Sequence, residues 1–535
     1  FAEAAEARLA FADRYRKDPR APDQLAAAAQ WREALGDAQS AYVLWQRYLK
    51  EYPARPDAAR VAFDLGVLLE RRGEWRKAAE HWSAFLRNRA PSARPGALLL
   101  ARYRLGLALR ALRKDDRRAV AALSEVASRF AALPEAEKVP ELVEAAAHAR
   151  FLVLEAQFEE FVAIDFNLKR QSRLVRALQI KNARMARLVQ AGTEVIRAGS
   201  PTWSEAALTR LGEAYRNFNR ALLQAPLPRG LDAAERELYR TALEKQALPL
   251  EDKAAEAFRK ALETGAKVSV YSEWTLRAQE LLAEDQPGSL GARRPIAARW
   301  AEPGGPLDAL ALHHERKLDE AEQVLRRVLE RHPADADALR VLAMVEADRG
   351  RPKVAEWALS QVRELSPQDA AAPNNLGVLA LRRGDAAAAR ARFEEATALD
   401  PQFAPAWSNL GALALSYRDY AAAAYAYGRA ARLEPSRWET RLASGWALEG
   451  KGEPLLARAE YEAVLAQKPG QADALFGRAA ALRAEGDLAG ARAAFHRYVS
   501  AEKPARLKEA LAQIAAIDLR LGQAAAQANA APAAR

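Results

Sequence analysis

Five prolines in the C-terminal half, Pro333, Pro367, Pro401, Pro435 and Pro469, stand 34 residues apart. No other feature limits the fold as much. A fixed period of this length makes each segment one unit that buries its apolar face only by stacking on its neighbours. Other positions keep the same ruler. Leu376-Gly377 recurs as Leu410-Gly411 and then as Ser444-Gly445. Ala recurs at 321, 355, 389, 423, 457 and 491, and four residues on come Leu325, Leu359, Phe393, Tyr427, Tyr461 and Phe495. Gly350, Gly384 and Gly486 mark turns, the last two followed by Asp. This spacing predicts two antiparallel helices per unit. The small residues sit where the helices approach most closely, the large residue of the second helix plugs into the next unit, and proline ends that helix. Composition agrees: the chain is Ala-rich, and Arg supplies 64 of its 81 basic residues, both good helix formers.

A 34-residue period carrying Trp407, Leu410, Gly411, Ala423, Tyr427, Ala430 and Pro435 in these slots resembles the tetratricopeptide repeat (TPR). The expected fold is therefore all-α, a TPR-type α-solenoid in two arrays. Residues 307–504 form the regular array, 505–522 a capping helix, and 523–535 an Ala/Gln-rich disordered tail. The N-terminal half repeats the theme irregularly. Leu65-Gly66, Ala78, Trp82, Phe85 and Pro91 make one unit, Leu35-Gly36-Asp37 with Trp45, Tyr48 and Pro53 a degenerate one, and Leu105-Gly106 opens another, so residues 1–165 read as a degenerate array. In residues 166–284, Leu211-Gly212 and Tyr215 look like the first half of a repeat, and Ala254, Phe258 and Ala261 like the second. The insertion between them, 216–253, is expected to hold an extra helix over Glu235–Leu243, as an embellishment of the superhelix or a binding element. Residues 285–306, rich in Gly and Pro, read as the linker between the arrays.

Charge is uneven. The chain carries a formal +11, yet residues 303–504 hold 27 Lys+Arg against 28 Asp+Glu. Residues 167–197 alone carry Lys169, Arg170, Arg173, Arg176, Lys181, Arg184, Arg187 and Arg197 against Glu194. Leu168, Leu174, Val175, Leu178, Met185, Leu188 and Val189 fall between them at helical spacing, so one basic amphipathic helix is expected. Its cations are either a solvated face or a contact for an acidic protein or an anionic membrane surface. Nucleic acid is not expected, because interleaved aromatics and nucleic-acid motifs are missing.

Catalysis finds no support. Zero Cys removes zinc ribbons, iron–sulfur clusters and thiol nucleophiles. His313 and His314 are adjacent and point about 100° apart on a helix, unlike an i, i+4 metal pair. His81, His148, His332 and His496 are isolated and read as packing or surface residues. Gly445 to Gly452 matches a phosphate-binding loop until Gly452 takes the place of its Ser/Thr, and it lies on a repeat helix rather than after a strand. The expectation is a non-enzymatic protein without cofactor or metal. No apolar stretch reaches the roughly 18 residues of a membrane span.

The TPR resemblance implies that partner segments lie along the concave groove lined by the first helix of each unit. Its groove slots fall at Arg340, Met344, Asn374, Asn375, Val378, Ser408, Asn409, Ala412, Trp446, Phe476 and Arg483. Asn375 and Asn409 occupy the slot where the family presents an amide to a peptide backbone, which suits a group that both donates and accepts. The family's carboxylate clamp needs Lys and Asn in neighbouring slots; Asn374 and Val378 stand there instead. The middle region (Ser200-Pro201-Thr202-Trp203, Tyr215, Pro226 to Gly230, Lys253 to Phe258, Val270-Tyr271-Ser272-Glu273-Trp274) looks like TPR proteins of myxobacterial and related cell envelopes, including lipoproteins of the gliding-motility machinery. That likeness implies a scaffold in the bacterial periplasm or at the outer membrane, held by a lipid-modified Cys ahead of Phe1. A cytoplasmic adaptor or regulator is the alternative.

Overall fold

The computed structural model describes residues 1–88, 94–112, 116–168, 170–228, 230–268, 270–285, 298–303, 308–501 and 505–530. These residues form 25 α-helices and one short 3-10 turn, in two units, Phe1–Leu290 and Gly291–Arg535. The chain is all-α, as the period requires. Lys169, Pro91, most of the linker and residues 531–535 lie outside the described residues.

In the C-terminal unit the ruler sets each turn. Positions 316, 350, 384, 418, 452 and 486, again 34 apart, all have positive φ. Four are glycine; Arg316 and Arg418 adopt the left-handed conformation at φ 63° and 58°, a costly choice for a side-chain-bearing residue. Asp385, Asp419 and Asp487 follow that turn and accept a hydrogen bond from the backbone three residues on, capping the second helix. The helix pairs are Asp308–His314 with Leu318–Arg331, Ala336–Asp348 with Pro352–Leu365, Ala371–Arg382 with Ala386–Leu399, Ala404–Ser416 with Tyr420–Leu433, Trp438–Lys451 with Pro454–Gln467, and Ala472–Glu485 with Leu488–Val499.

Three of these pairs close on a glycine, Gly377, Gly411 or Gly445. A Cβ added to Gly377 would stand 2.5 Å from the ring of Phe393, and one on Gly411 2.7 Å from Tyr427. The large residue of the second helix thus packs first on its own unit, where the sequence reading sent it to the next. Tyr461 does both, lying over Gly445 and also over Gly477 of the following pair. The ring turns inward because the facing glycine of its own unit has no Cβ to exclude it. The N-terminal unit uses the same device, with Trp82 over Gly66, Leu123 over Gly106 and Phe258 over Gly212. These side chains are buried, each worth about 1.5–3 kcal/mol in surface withdrawn from water.

Two expectations change. The insertion 216–253 holds no separate helix over Glu235–Leu243. It lengthens Pro201–Leu223 and forms the start of one 35-residue helix, Ala233–Lys267, which carries Pro249 inside it. A capping box between Asp232 and Glu235 starts that helix early. The terminal helix does not end at 522 but runs Leu507–Ala530. Its Ala-rich sequence has high helix propensity and no breaker after Gly522 until Pro532, so composition alone did not make it disordered.

Candidate partner-binding groove

The first helices of the C-terminal pairs present Asn374 and Asn375, from Ala371–Arg382, and Asn409, from Ala404–Ser416. All three sit in the predicted groove and all are buried. What buries them is part of the expected linker: residues 298–303 lie along the groove as a strap. Asn409 accepts from the Arg299 backbone N–H at 2.6 Å and donates to the Arg299 carbonyl at 2.8 Å. Asn375 treats Ala301 alike, accepting from its N–H at 2.7 Å and donating to its carbonyl at 3.1 Å. Asn374 adds a donor to the Arg299 carbonyl at 3.2 Å and ties the other two amides together, donating to Asn375 and accepting from Asn409. Alternate residues offering both backbone groups to one side is the geometry of an extended chain. The network also fixes each amide's orientation, since every oxygen faces a donor.

Side chains fix the register. The Arg299 guanidinium meets Glu434 through two bonds, 2.5 and 3.1 Å, a bidentate pair. Trp300 packs with Ala298 against the cluster of Val378 and Phe393, and the Arg382 guanidinium lies 5.0 Å above its ring. Ala301 and Pro303 are buried, and exposed Glu302 meets His314 at 3.0 Å.

Beyond Arg299, toward the last repeats, the groove opens into a cavity of about 450 Å³. Ser408, Ala412, Tyr427, Trp438, Thr440 and Trp446 line it. Tyr427 is 3% exposed, and its hydroxyl and the Ser408 Oγ, both buried, meet no hydrogen-bond partner among the described residues. Burial raises the Tyr427 phenol far above its ordinary value, so it remains a neutral donor.

Not every predicted groove residue is there for a partner. Val378, Ser408, Asn409, Ala412 and Trp446 line the strap or the cavity. Phe476 instead joins Phe495, Tyr498, Ile514 and Ile517 in the core under the terminal helix, with Arg506 stacked on its ring at 3.6 Å. Arg483 bonds Gln513 of that helix. The terminal helix covers the end of the groove, which removes both from the site. Met344 is buried, and Arg340 is engaged by Asp337 and Asp369. Sequence reasoning missed Arg299, Trp300 and Glu434. The available signal was a lone tryptophan in a Gly/Pro-rich stretch with no repeat slot to fill.

The basic helix is present as Gln171–Arg197. Arg170, Arg173, Arg176 and Arg187 are exposed. Lys181 corrects the expected basic surface: it is 1% exposed and donates to the Phe161 and Ile164 carbonyls and to Asn217. Its ammonium lies 4.4 Å from the Phe161 ring, and burial lowers its pKa to about 8. Arg184 is half-buried and paired with Glu160. Among the described residues, no helix is long and apolar enough to cross a membrane.

Stacked antiparallel helix pairs define an α-solenoid. Residues 309–372, 374–437 and 442–506 match the family described as tetratricopeptide repeat, as do residues 100–132. The C-terminal unit is thus an array of tetratricopeptide repeats, a fold that binds other proteins or peptides. No curated protein matches the chain. Similar solved structures include YrrB, a TPR protein with an unusual peptide-binding site (20% identity over 33% of this chain and 90% of that one, TM-score 0.30). Pseudomonas aeruginosa pilF is 21% identical over 40% of this chain and 94% of its own, with a TM-score of 0.33. A MamA fragment from Desulfovibrio magneticus RS-1 is 17% identical over 32% and 95%, with a TM-score of 0.28.

Proposed function

We propose that this chain is a non-enzymatic scaffold whose C-terminal groove holds extended segments of partner proteins by their backbone. One observation carries the reading: Asn375 and Asn409 each grip both backbone groups of one residue, two residues apart along an extended strand. Such a grip reads backbone before side chain and suits a peptide. Asn375→Ala with Asn409→Ala should abolish capture of partners that co-purify with the full chain while the helical circular dichroism is unchanged. Equal capture by the double variant refutes the groove.

The setting we propose is a bacterial cell-envelope assembly of the gliding-motility kind, in the periplasm or at the outer membrane. The residues of the middle region that resemble envelope TPR proteins support it. Fractionation of the native cells, with mass spectrometry of the mature N-terminus, tests it; recovery in the cytoplasm favours an adaptor or regulator instead. The exposed arginines of Gln171–Arg197 supply a second surface, for an acidic protein or an anionic membrane. Arg173, Arg176 and Arg187 changed to Glu should end salt-sensitive binding to phosphatidylserine vesicles or to an acidic partner. Undiminished binding leaves that face merely solvated.

A further inference from the structure

Residues 298–303 fill the track that the groove would offer a partner. The described strap makes every bond a peptide would make there: four backbone bonds to Asn375 and Asn409, one charge pair to Glu434, and one ring under Arg382. We propose that the strap is a built-in competitor, displaced by an extended partner peptide of its own chemistry: an Arg for Glu434, an aromatic under Arg382, then a small residue held by Asn375. This rests on the peptide-binding reading of the groove.

The strap and the helix Asp308–His314 belong to one chain and are separated by four residues. So short a tether presents the strap at an effective concentration of millimolar or more. A partner's apparent affinity falls by the fraction of time the track is open. A free peptide that copies the strap must therefore outcompete a tethered copy of itself.

The probe is a fluorescent synthetic peptide of residues 293–303, Arg-Arg-Pro-Ile-Ala-Ala-Arg-Trp-Ala-Glu-Pro, titrated by anisotropy into the full chain. Arg299→Glu in the protein places like charges at Glu434 and frees the strap; it should bind the probe at least tenfold tighter than the natural chain does. Adding Asn375→Ala and Asn409→Ala to that variant should abolish binding. Trp300→Ala, which removes the anchoring ring, is the second strap-freeing variant should Arg299→Glu fail to fold. Equal affinity of natural chain and strap variant overturns the competitor. So does a folded strap variant that ignores the probe. A concentration-dependent dimer of the natural chain in sedimentation, lost on Asn375→Ala, would show straps exchanged between copies and overturn the partner assignment. The two readings fail separately. Capture of co-purifying partners lost with Asn375→Ala and Asn409→Ala but indifferent to Arg299→Glu sinks the competitor alone; capture indifferent to both sinks the groove.

Discussion

Asn375→Ala removes two of the bonds that hold the strap, 2.7 and 3.1 Å from Ala301. A neutral hydrogen bond contributes about 1 kcal/mol net. The free energy for lifting residue 301 from the groove should therefore fall by about 2 kcal/mol, or roughly 30-fold in the open population. The loss is local. Alanine is a better helix former than asparagine by about 0.7 kcal/mol at most, so Ala371–Arg382 itself does not weaken. Hydrogen–deuterium exchange of the full chain, read by mass spectrometry on a peptide covering 298–303, measures the effect directly. In the natural chain the amides of Arg299 and Ala301 should be protected although they lie outside any helix. In the variant the Ala301 amide should exchange about 30 times faster. Arg299, still held by Asn409, should change less, and helices of the N-terminal unit not at all. Exchange of 298–303 at the rate of a free peptide in the natural chain would refute the docked strap. Unchanged exchange in the variant would refute the role of Asn375.

Two further outcomes test the packing and the charge balance. Gly377→Val should destabilise the C-terminal unit by about 2 kcal/mol or more, since overpacking against a fixed ring costs about 1–3 kcal/mol before branching is counted; a companion Phe393→Leu should recover part of it, and an unchanged urea midpoint would contradict the close approach at this pair. Glu205 is fully buried and accepts from the Ser272 hydroxyl, and burial raises its pKa to about 6. A carboxyl raised in the folded state stabilises below its unfolded value near 4.5 and loses that stabilisation as pH rises through 6. Glu205→Gln should therefore gain on the natural chain by about 2 kcal/mol between pH 4.5 and 7.5, and parallel urea midpoints across that range would refute the assignment.

Much of the fold was legible because repeats are local. The Gly377–Phe393 contact spans sixteen residues, so period and slot chemistry reveal it without any knowledge of the rest. The same ruler places Arg316 and Arg418 in the left-handed turn position that glycine takes elsewhere. The groove asparagines were also legible, because the face of a helix follows from its spacing. Their occupant was not. Arg299 and Ala301 meet partners 74 to 135 positions away, and no period links a Gly/Pro-rich segment to the helices it lies on.

Lys181 marks the same boundary within one helix. Helical spacing put it among exposed cations, but Phe161, Ile164 and Asn217 from two neighbouring segments surround it. The sequence by itself determined the repeat unit, its turns and which face of each helix turns to the groove, since those follow from contacts between near neighbours along the chain. Tertiary structure decided which cations meet water and that the groove already holds a peptide, the protein's own, because both depend on surfaces that come together only after the helices have stacked.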